Sequence, residues 1–212
     1  AGGAGKYAKL GANIDFNGTQ YADDFQPIPL NCMYFDGNGK TIRNIYKSDI
    51  YTDLSVFKVS NTSDMTIEKL KTENVVLRGD LPSLFSTDFT NYTGYIYLKR
   101  CDIALDVTTT RDRVADSSSD GDCVMRRPYV NSILTELCSI TVRAVMNKPQ
   151  PIGLFFGGQS TMFYLDLKFN TAPNYSEGKN APFIRGDCTD CGFLGNVEYI
   201  GDGTAAYYFA AW

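Results

Sequence analysis

The sequence predicts an all-β fold built as a solenoid of parallel strands with long inserted loops; a β-sandwich is the alternative. Three observations predict it. Residues 33 to 48, MYFDGNGKTIRNIYKS, place the turn Asp36-Gly37-Asn38-Gly39 between two β-prone runs, and Asn and Gly accept the positive φ angles that tight turns demand. The short strand after that turn recurs in later segments, so the stretch reads as one rung of a ladder. Composition agrees: 14 Tyr, 13 Phe and 19 Gly among 212 residues suit a turn-rich β protein, and sustained helical periodicity is absent.

The elements follow in order. A Gly/Ala arm, residues 1 to 6, lacks an initiator Met and reads as a processed or trimmed terminus. Residues 7 to 18, YAKLGANIDFNG, alternate apolar and polar positions and predict one strand ending at a turn. Residues 19 to 32 carry Pro27 and Pro29 and are expected to be irregular or extended, because proline cannot donate to a ladder. From there a short alternating stretch opened by Thr, Cys or Met recurs at Thr41, Thr66, Cys101, Cys138, Met162 and Cys191, with start-to-start spacings of 25, 35, 37, 24 and 29 residues. The shorter spacings match one solenoid turn, and the longer ones fit a turn with an insertion. The polar segments 78 to 94 and 108 to 122 are expected to be outside loops, and 148 to 153 and 171 to 182 proline-punctuated turns. The chain closes on the apolar segment 205 to 212, AAYYFAAW, and a single domain spans residues 1 to 212.

A short strand with one apolar face cannot bury that face alone. Stacked turns make a continuous interior column, which is the physical case for the solenoid. Alternation broken by Gly/Asn turns also suits a sandwich, so periodicity alone divides the two evenly.

A resemblance weighs for the coil. The runs YAKLGANIDFNG, FQPIPL and YFDGNGKTIRNIY resemble the opening of right-handed parallel β-helix surface proteins of the GLUG-repeat and pectin-lyase-like kind. The residues that carry it are Leu10, Asn13, Ile14, Asp15, Pro27, Ile28, Phe35, Asp36, Gly37, Asn38, Gly39, Thr41, Ile42, Asn44 and Ile45. Later, Ile152-Gly153-Leu154-Phe155-Phe156-Gly157 is similar to a G-L-F-G element of that family, with a second Phe interrupting it, while residues 78 to 147 match poorly. The resemblance implies a right-handed parallel β-helix and a place on a cell surface or in a secreted adhesin or fibre; some such domains cleave polysaccharides.

Charge and inventory narrow the function. A net charge of -4 with no basic run argues against nucleic acid as a partner, and no apolar run approaches the ~18 residues of a membrane-inserted helix. Six cysteines, an even number, at Cys32, Cys101, Cys123, Cys138, Cys188 and Cys191 are disulfide candidates. Four sequons mark Asn17, Asn61, Asn91 and Asn174 as glycosylation candidates. Together with the absence of histidine, these features place the chain outside the cytoplasm, extracellular or on a cell surface.

Without histidine there is no Ser-His or Cys-His nucleophile and no His-ligated zinc. Carboxylate chemistry stays open, with Asp102, Asp106 and Asp166 in strand-like segments, but among 24 acidic residues such placements arise by coincidence. Asp116, Ser118, Asp120 and Asp122 reproduce the first half of an oxygen-ligand calcium loop; Arg127 stands at the twelfth position, which excludes an EF-hand. No cofactor is required, and calcium is an optional ligand. The CxxC of Cys188 and Cys191 lacks a second CxxC and reads as structural. Cys101 and Cys138 occupy equivalent repeat positions, near enough for a bridge or for an unbonded buried ladder. Tyr92, Tyr95 and Tyr97 alternate and offer either a sugar-stacking stripe or ordinary packing. The open ends of a coil must be capped or joined, so the expected partners are other copies of the chain, with glycans second. The expectation is a non-enzymatic structural or adhesive subunit; a polysaccharide-binding or polysaccharide-cleaving protein is the alternative.

Overall fold

The computed structural model of the chain describes residues 7–17, 25–49, 55–59, 64–79, 82–87, 94–110, 132–146, 153–169, 184–185, 188–199 and 210–211. They form strands β1 (Tyr7–Lys9), β2 (Ile14–Asp15) and β3 (Ile28–Leu30); β4 (Tyr34–Asp36), β5 (Thr41–Asp49) and β6 (Ser55–Val59); and β7 (Met65–Glu68), β8 (Lys71–Gly79) and β9 (Ser83–Thr87). The second half continues with β10 (Tyr95–Lys99), β11 (Asp102–Thr109), β12 (Ser132–Glu136), β13 (Ser139–Met146), β14 (Gly153–Gln159), β15 (Met162–Phe169), β16 (Ile184–Arg185), β17 (Cys188–Thr189), β18 (Gly192–Tyr199) and β19 (Ala210–Ala211). The described residues contain no helix, hence none long and apolar enough to cross a membrane.

Every strand pairing in the three sheets is parallel. The first sheet runs β1-β4-β7-β10-β12-β14-β16-β19, with β17 also on β14; the second runs β2-β5-β8-β11-β13-β15-β18; the third is β3-β6-β9. The described chain passes through the first, second and third sheets in turn three times and thereafter moves between the first and second, and each round is one rung. A sandwich of antiparallel neighbours does not fit these pairings. Inner side chains of all three sheets, among them Ile67, Leu77 and Phe85, share one hydrophobic cluster.

Along the second sheet, registered partners step by 28, 30, 31, 37, 23 and 30 residues, from Ile14 to Ile42 and then from Thr41 through Lys71, Asp102, Ser139 and Met162 to Gly192. The copy that the sequence starts at Thr66 is therefore mis-set. Thr66 lies in β7 of the first sheet, and the partner of Thr41 is Lys71. The run TIEKLKTENVVL hides a bend at Lys69-Leu70, which separates β7 from β8.

That bend is the unit of construction. Between first-sheet and second-sheet strands, Lys69, Arg100, Leu137, Ser160 and Asp190 all take left-handed φ of 47 to 55°. Each is followed by an inward residue: Leu70, Cys101, Cys138, Thr161 and Cys191. A non-glycine residue pays about 1–2 kcal/mol for that conformation. The corner offsets it with hydrogen bonds to the next rung, Lys69 N–H to Lys99 O at 2.9 Å, Arg100 N–H to Glu136 O at 2.8 Å, and Leu137 N–H to Gln159 O at 2.9 Å. The N–H of the inward residue finds a side-chain acceptor one rung on: Cys101 N–H meets Cys138 Sγ, and Cys138 N–H meets Thr161 Oγ1, both at 3.4 Å. This accounts for Cys138 and Thr161 at successive corners, since both residue types are small and can accept a hydrogen bond; Thr41 and Thr66 lie elsewhere, in β5 and β7.

Two bulges break strict alternation. Asn44 and Asn74 sit inside β5 and β8 with φ of 57° and 50°, and stack: Asn74 Nδ2 donates to Asn44 Oδ1 at 2.8 Å, and Asn44 Nδ2 donates to Asp15 Oδ1 at 2.8 Å. Asparagine suits the left-handed position because its short amide bonds locally. β11 has no such extra residue, so its register to β8 shifts between Asp102 and Asp106. Thr72 Oγ1 fills the gap by accepting Ala104 N–H at 3.0 Å and donating to Ala104 O at 3.1 Å. A second shift lies in β14 between the partners of Ile133 and Thr135, Phe155 and Gly158, where the extra Phe interrupts the expected G-L-F-G.

Other expectations need correction. Residues 7 to 18 are two short strands in different sheets, β1 and β2. Segment 78 to 94 is not wholly an outside loop, because it contains β9, whose Leu84 and Phe85 are fully buried. Residues 19 to 32 contain β3, with Pro29 paired to Lys58 at a sheet edge, where a ladder tolerates proline. The arm 1 to 6, segments 111 to 122 and 171 to 182, and all of 205 to 212 except β19 lie outside the described residues.

Candidate functional site

The outer face of the first sheet carries the densest arrangement of functional side chains among the described residues. Strand alternation puts every second residue outward, and parallel register lines these up in columns. One column is Tyr7, Tyr34, Thr66, Tyr97 and Leu134; beside it runs Lys9, Asp36, Glu68, Lys99, Glu136 and Gln159. The two are tied diagonally. Tyr7 Oη donates to Asp36 Oδ2 at 2.7 Å, and the Tyr34 hydroxyl donates to Glu68 one rung further on.

The rings of Tyr7 and Tyr34 stack with centroids 5.3 Å apart and planes 14° apart, and Tyr7 is 59% exposed. Tyr95 and Tyr97 lie on the same face at 6.3 Å, tilted by 47°. Ion pairs neutralise the second column: Lys9 with Asp36 at 3.7 Å, Lys69 and Arg100 with Glu68 at 3.1 and 3.3 Å, and Lys99 with Glu136 at 2.9 Å. The face is therefore an aromatic platform edged with paired charges, a surface that can stack against a ring and exchange hydrogen bonds beside it.

Asp36 and Glu68 are register partners, so the structure sets two carboxylates side by side. Asp36 is not poised to donate a proton. The Tyr7 hydroxyl above all, then the Asn38 N–H and the charges of Lys9 and Lys69, hold its carboxyl below the usual range against the opposing effect of burial. A glycosidase acid needs the opposite shift.

Because the folded value lies below the unfolded one, the stabilisation from Asp36 is complete above the ordinary aspartate value near ~3.9 and is lost as pH falls through the folded value. Tyr7→Phe removes the main donor. It is expected to be less stable than the parent in urea melts at pH 6, with the gap closing in acid once Asp36 is protonated in both proteins; a gap of equal size at pH 2 would contradict the linkage.

The residues singled out in the sequence fare differently. Asp106 and Asp166 share a column with Arg143 between them, bonded to Asp106 at 3.2 Å, and Asp102 stands between Lys71 and Ser139. They form no carboxylate pair. Asn17 is exposed, with left-handed φ of 60° and its N–H on Asp15 Oδ1. Asn61, Asn91 and Asn174, the loop of Asp116, Ser118, Asp120 and Asp122, Cys123 and Tyr92 lie outside the described residues, and of Cys188 only the backbone is described. Cys32 is buried, and Cys101, Cys138 and Cys191 are thiols in the structure. Of the two options for Cys101 and Cys138, the structure has the unbonded buried ladder.

The Tyr7–Tyr34 stack and the Asp36/Glu68 pair were missed by sequence reasoning. The signal was present in the spacing of Y-x-K, Y-F-D and T-I-E, which share a register only once the rungs are aligned. No family model, no curated protein and no solved structure matches the chain.

Proposed function

We propose that the chain is a right-handed parallel β-helix that serves as a non-enzymatic extracellular structural or adhesive protein, a subunit of a surface fibre or larger adhesin assembled through its ends. The parallel order of the strands supports the right hand, since crossovers between parallel strands in one sheet are almost always of that hand. The observation that carries the assembly reading is β18. It closes the second sheet as an eight-residue parallel strand with β15 on one side and no strand on the other among the described residues.

Gly192 N–H bonds back to Thr161 O, so by alternation the N–H groups of Leu194, Asn196 and Glu198 also face β15. Those of Phe193, Gly195, Val197 and Tyr199 face the open side, where another strand can add by main-chain hydrogen bonds.

Sedimentation velocity and electron microscopy over a concentration series test this. Concentration-dependent association is expected, with filaments of regular axial repeat. Val197→Pro removes one open-side donor while sparing the ladder to β15, and is expected to cut association at least tenfold. A parent chain that stays monomeric at all concentrations would sink the reading.

The platform of Tyr7 and Tyr34 favours a second reading, glycan binding along the first sheet. The same preparation, incubated with neutral and uronate-rich glycans, separates the two. Binding lost in Tyr7→Ala supports a glycan partner, and new reducing ends or unsaturated products would revive a cleaving role.

A further inference from the structure

We propose that Cys101 and Cys138 are a cross-link site, whose sulfurs join as a disulfide under oxidising conditions and clamp one rung of the coil to the next. The two residues occupy the same corner position on adjacent rungs, immediately before the registered pair Asp102 and Ser139. Their main chains are bonded, Ser139 N–H to Cys101 O at 2.9 Å, and Cys101 N–H reaches Cys138 Sγ at 3.4 Å. Neighbouring parallel strands lie ~4.8 Å apart, inside the Cα separation that a disulfide spans but wide for its Cβ atoms. The bond is therefore formable and strained, which makes it readily reduced.

The corner column dictates the partner. On the far side of Cys101 stands Leu70 and on the far side of Cys138 stands Thr161, so each sulfur has only the other as a thiol neighbour in the column; Cys191 lies beyond Thr161. The site also falls where a clamp matters most. The step from Cys101 to Cys138 is 37 residues, the longest between registered partners.

The neighbouring Cys101 thiol, and then the Cys101 N–H that reaches its sulfur at 3.4 Å, hold the Cys138 thiol below its ordinary range, so Cys138 attacks first. With a small organic disulfide as oxidant, the Cys138 thiolate attacks one sulfur, the S–S bond breaks, and one thiolate leaves with the electron pair. Cys101 then gives up its proton and attacks the Cys138 sulfur of the mixed disulfide, releasing the second thiolate. Two protein thiols are oxidised, the oxidant is reduced to two thiols, and the two protein protons end on them.

Both residues are buried, at 2% and 5% exposure, so opening must precede reaction. The test incubates the full chain with oxidised glutathione across low urea concentrations, traps remaining thiols with N-ethylmaleimide, and maps linked peptides by mass spectrometry. One dominant Cys101–Cys138 linkage, two hydrogens lighter, is expected. It should raise Tm by about 5–10 °C and be reversed by dithiothreitol. Cys138→Ser should abolish both the linkage and the Tm rise. Linkage scattered over other cysteines, or no linkage where urea has opened the chain, overturns the proposal; both are read on the parent chain, so a misfolded variant does not obscure the result.

Discussion

Replacing Phe85 with alanine is expected to remove about 3–5 kcal/mol of folding stability, a large share of the 5–15 kcal/mol typical of a domain. Phe85 is fully buried in β9 and stacks on Phe57 of β6 with centroids 5.5 Å apart and planes 26° apart. Among the described residues the third sheet has three short strands, and this pair is its bulkiest contribution to the core, beside Leu30, Val56, Val59 and Leu84. Truncating the ring opens a cavity between rungs that backbone bonding prevents from collapsing. Urea melts read the loss directly. Val145→Ala, on a side chain 37% exposed on the outer face, is the control and should stay within about 0.5 kcal/mol of the parent. A Phe85→Ala loss below about 1 kcal/mol would mean that the third sheet does not hold the core together.

The second large effect is expected at Gly37. A methyl group there would collide with Leu70 Cα and lie 2.6 Å from both Leu70 N and Lys69 O, all backbone atoms of the next corner. No rotamer change can relieve that contact, so Gly37→Ala must push two rungs apart and should cost about 3 kcal/mol or more, at or above the upper end for overpacking. Gly39 is a neighbour with a different need. It has φ of +67° and nothing within 4 Å of an added Cβ, so Gly39→Ala should cost only the conformational price of about 1 kcal/mol. The order of the two, read from denaturant midpoints, is the check. Equal losses would show that conformation, and not close approach, governs the DGNG turn.

These two sites also show what the sequence could and could not disclose. The DGNG turn, with its β-prone flanks, was legible because its chemistry is local, although Gly37 serves contact between rungs and only Asn38 and Gly39 have positive φ. The long strands β11, β13 and β15 were legible as alternating runs. The third sheet was not: SVFKV and SLFST are five residues each, set among polar residues, and only alignment of the rungs pairs Phe57 with Phe85.

The corners were equally hidden, because Lys69, Arg100 and Leu137 carry none of the usual turn residues. Their left-handed conformation is imposed by the hydrogen bonds of the adjacent rung, a tertiary cause without local signature. The interplay of Tyr7 with Asp36 likewise spans 29 residues and depends on register.

The corner has a further consequence. It joins first-sheet to second-sheet strands by two residues at five successive rungs, while the registered steps along the second sheet range from 23 to 37 residues. All of that variation in length therefore falls on the flank between second-sheet strands and the next first-sheet strand, and lengthening a connection there costs little, about 0.6 kcal/mol per doubling. A foreign peptide spliced between β11 and β12 would leave every corner contact untouched, making that flank a natural place for diversity to accumulate or for an epitope to be displayed.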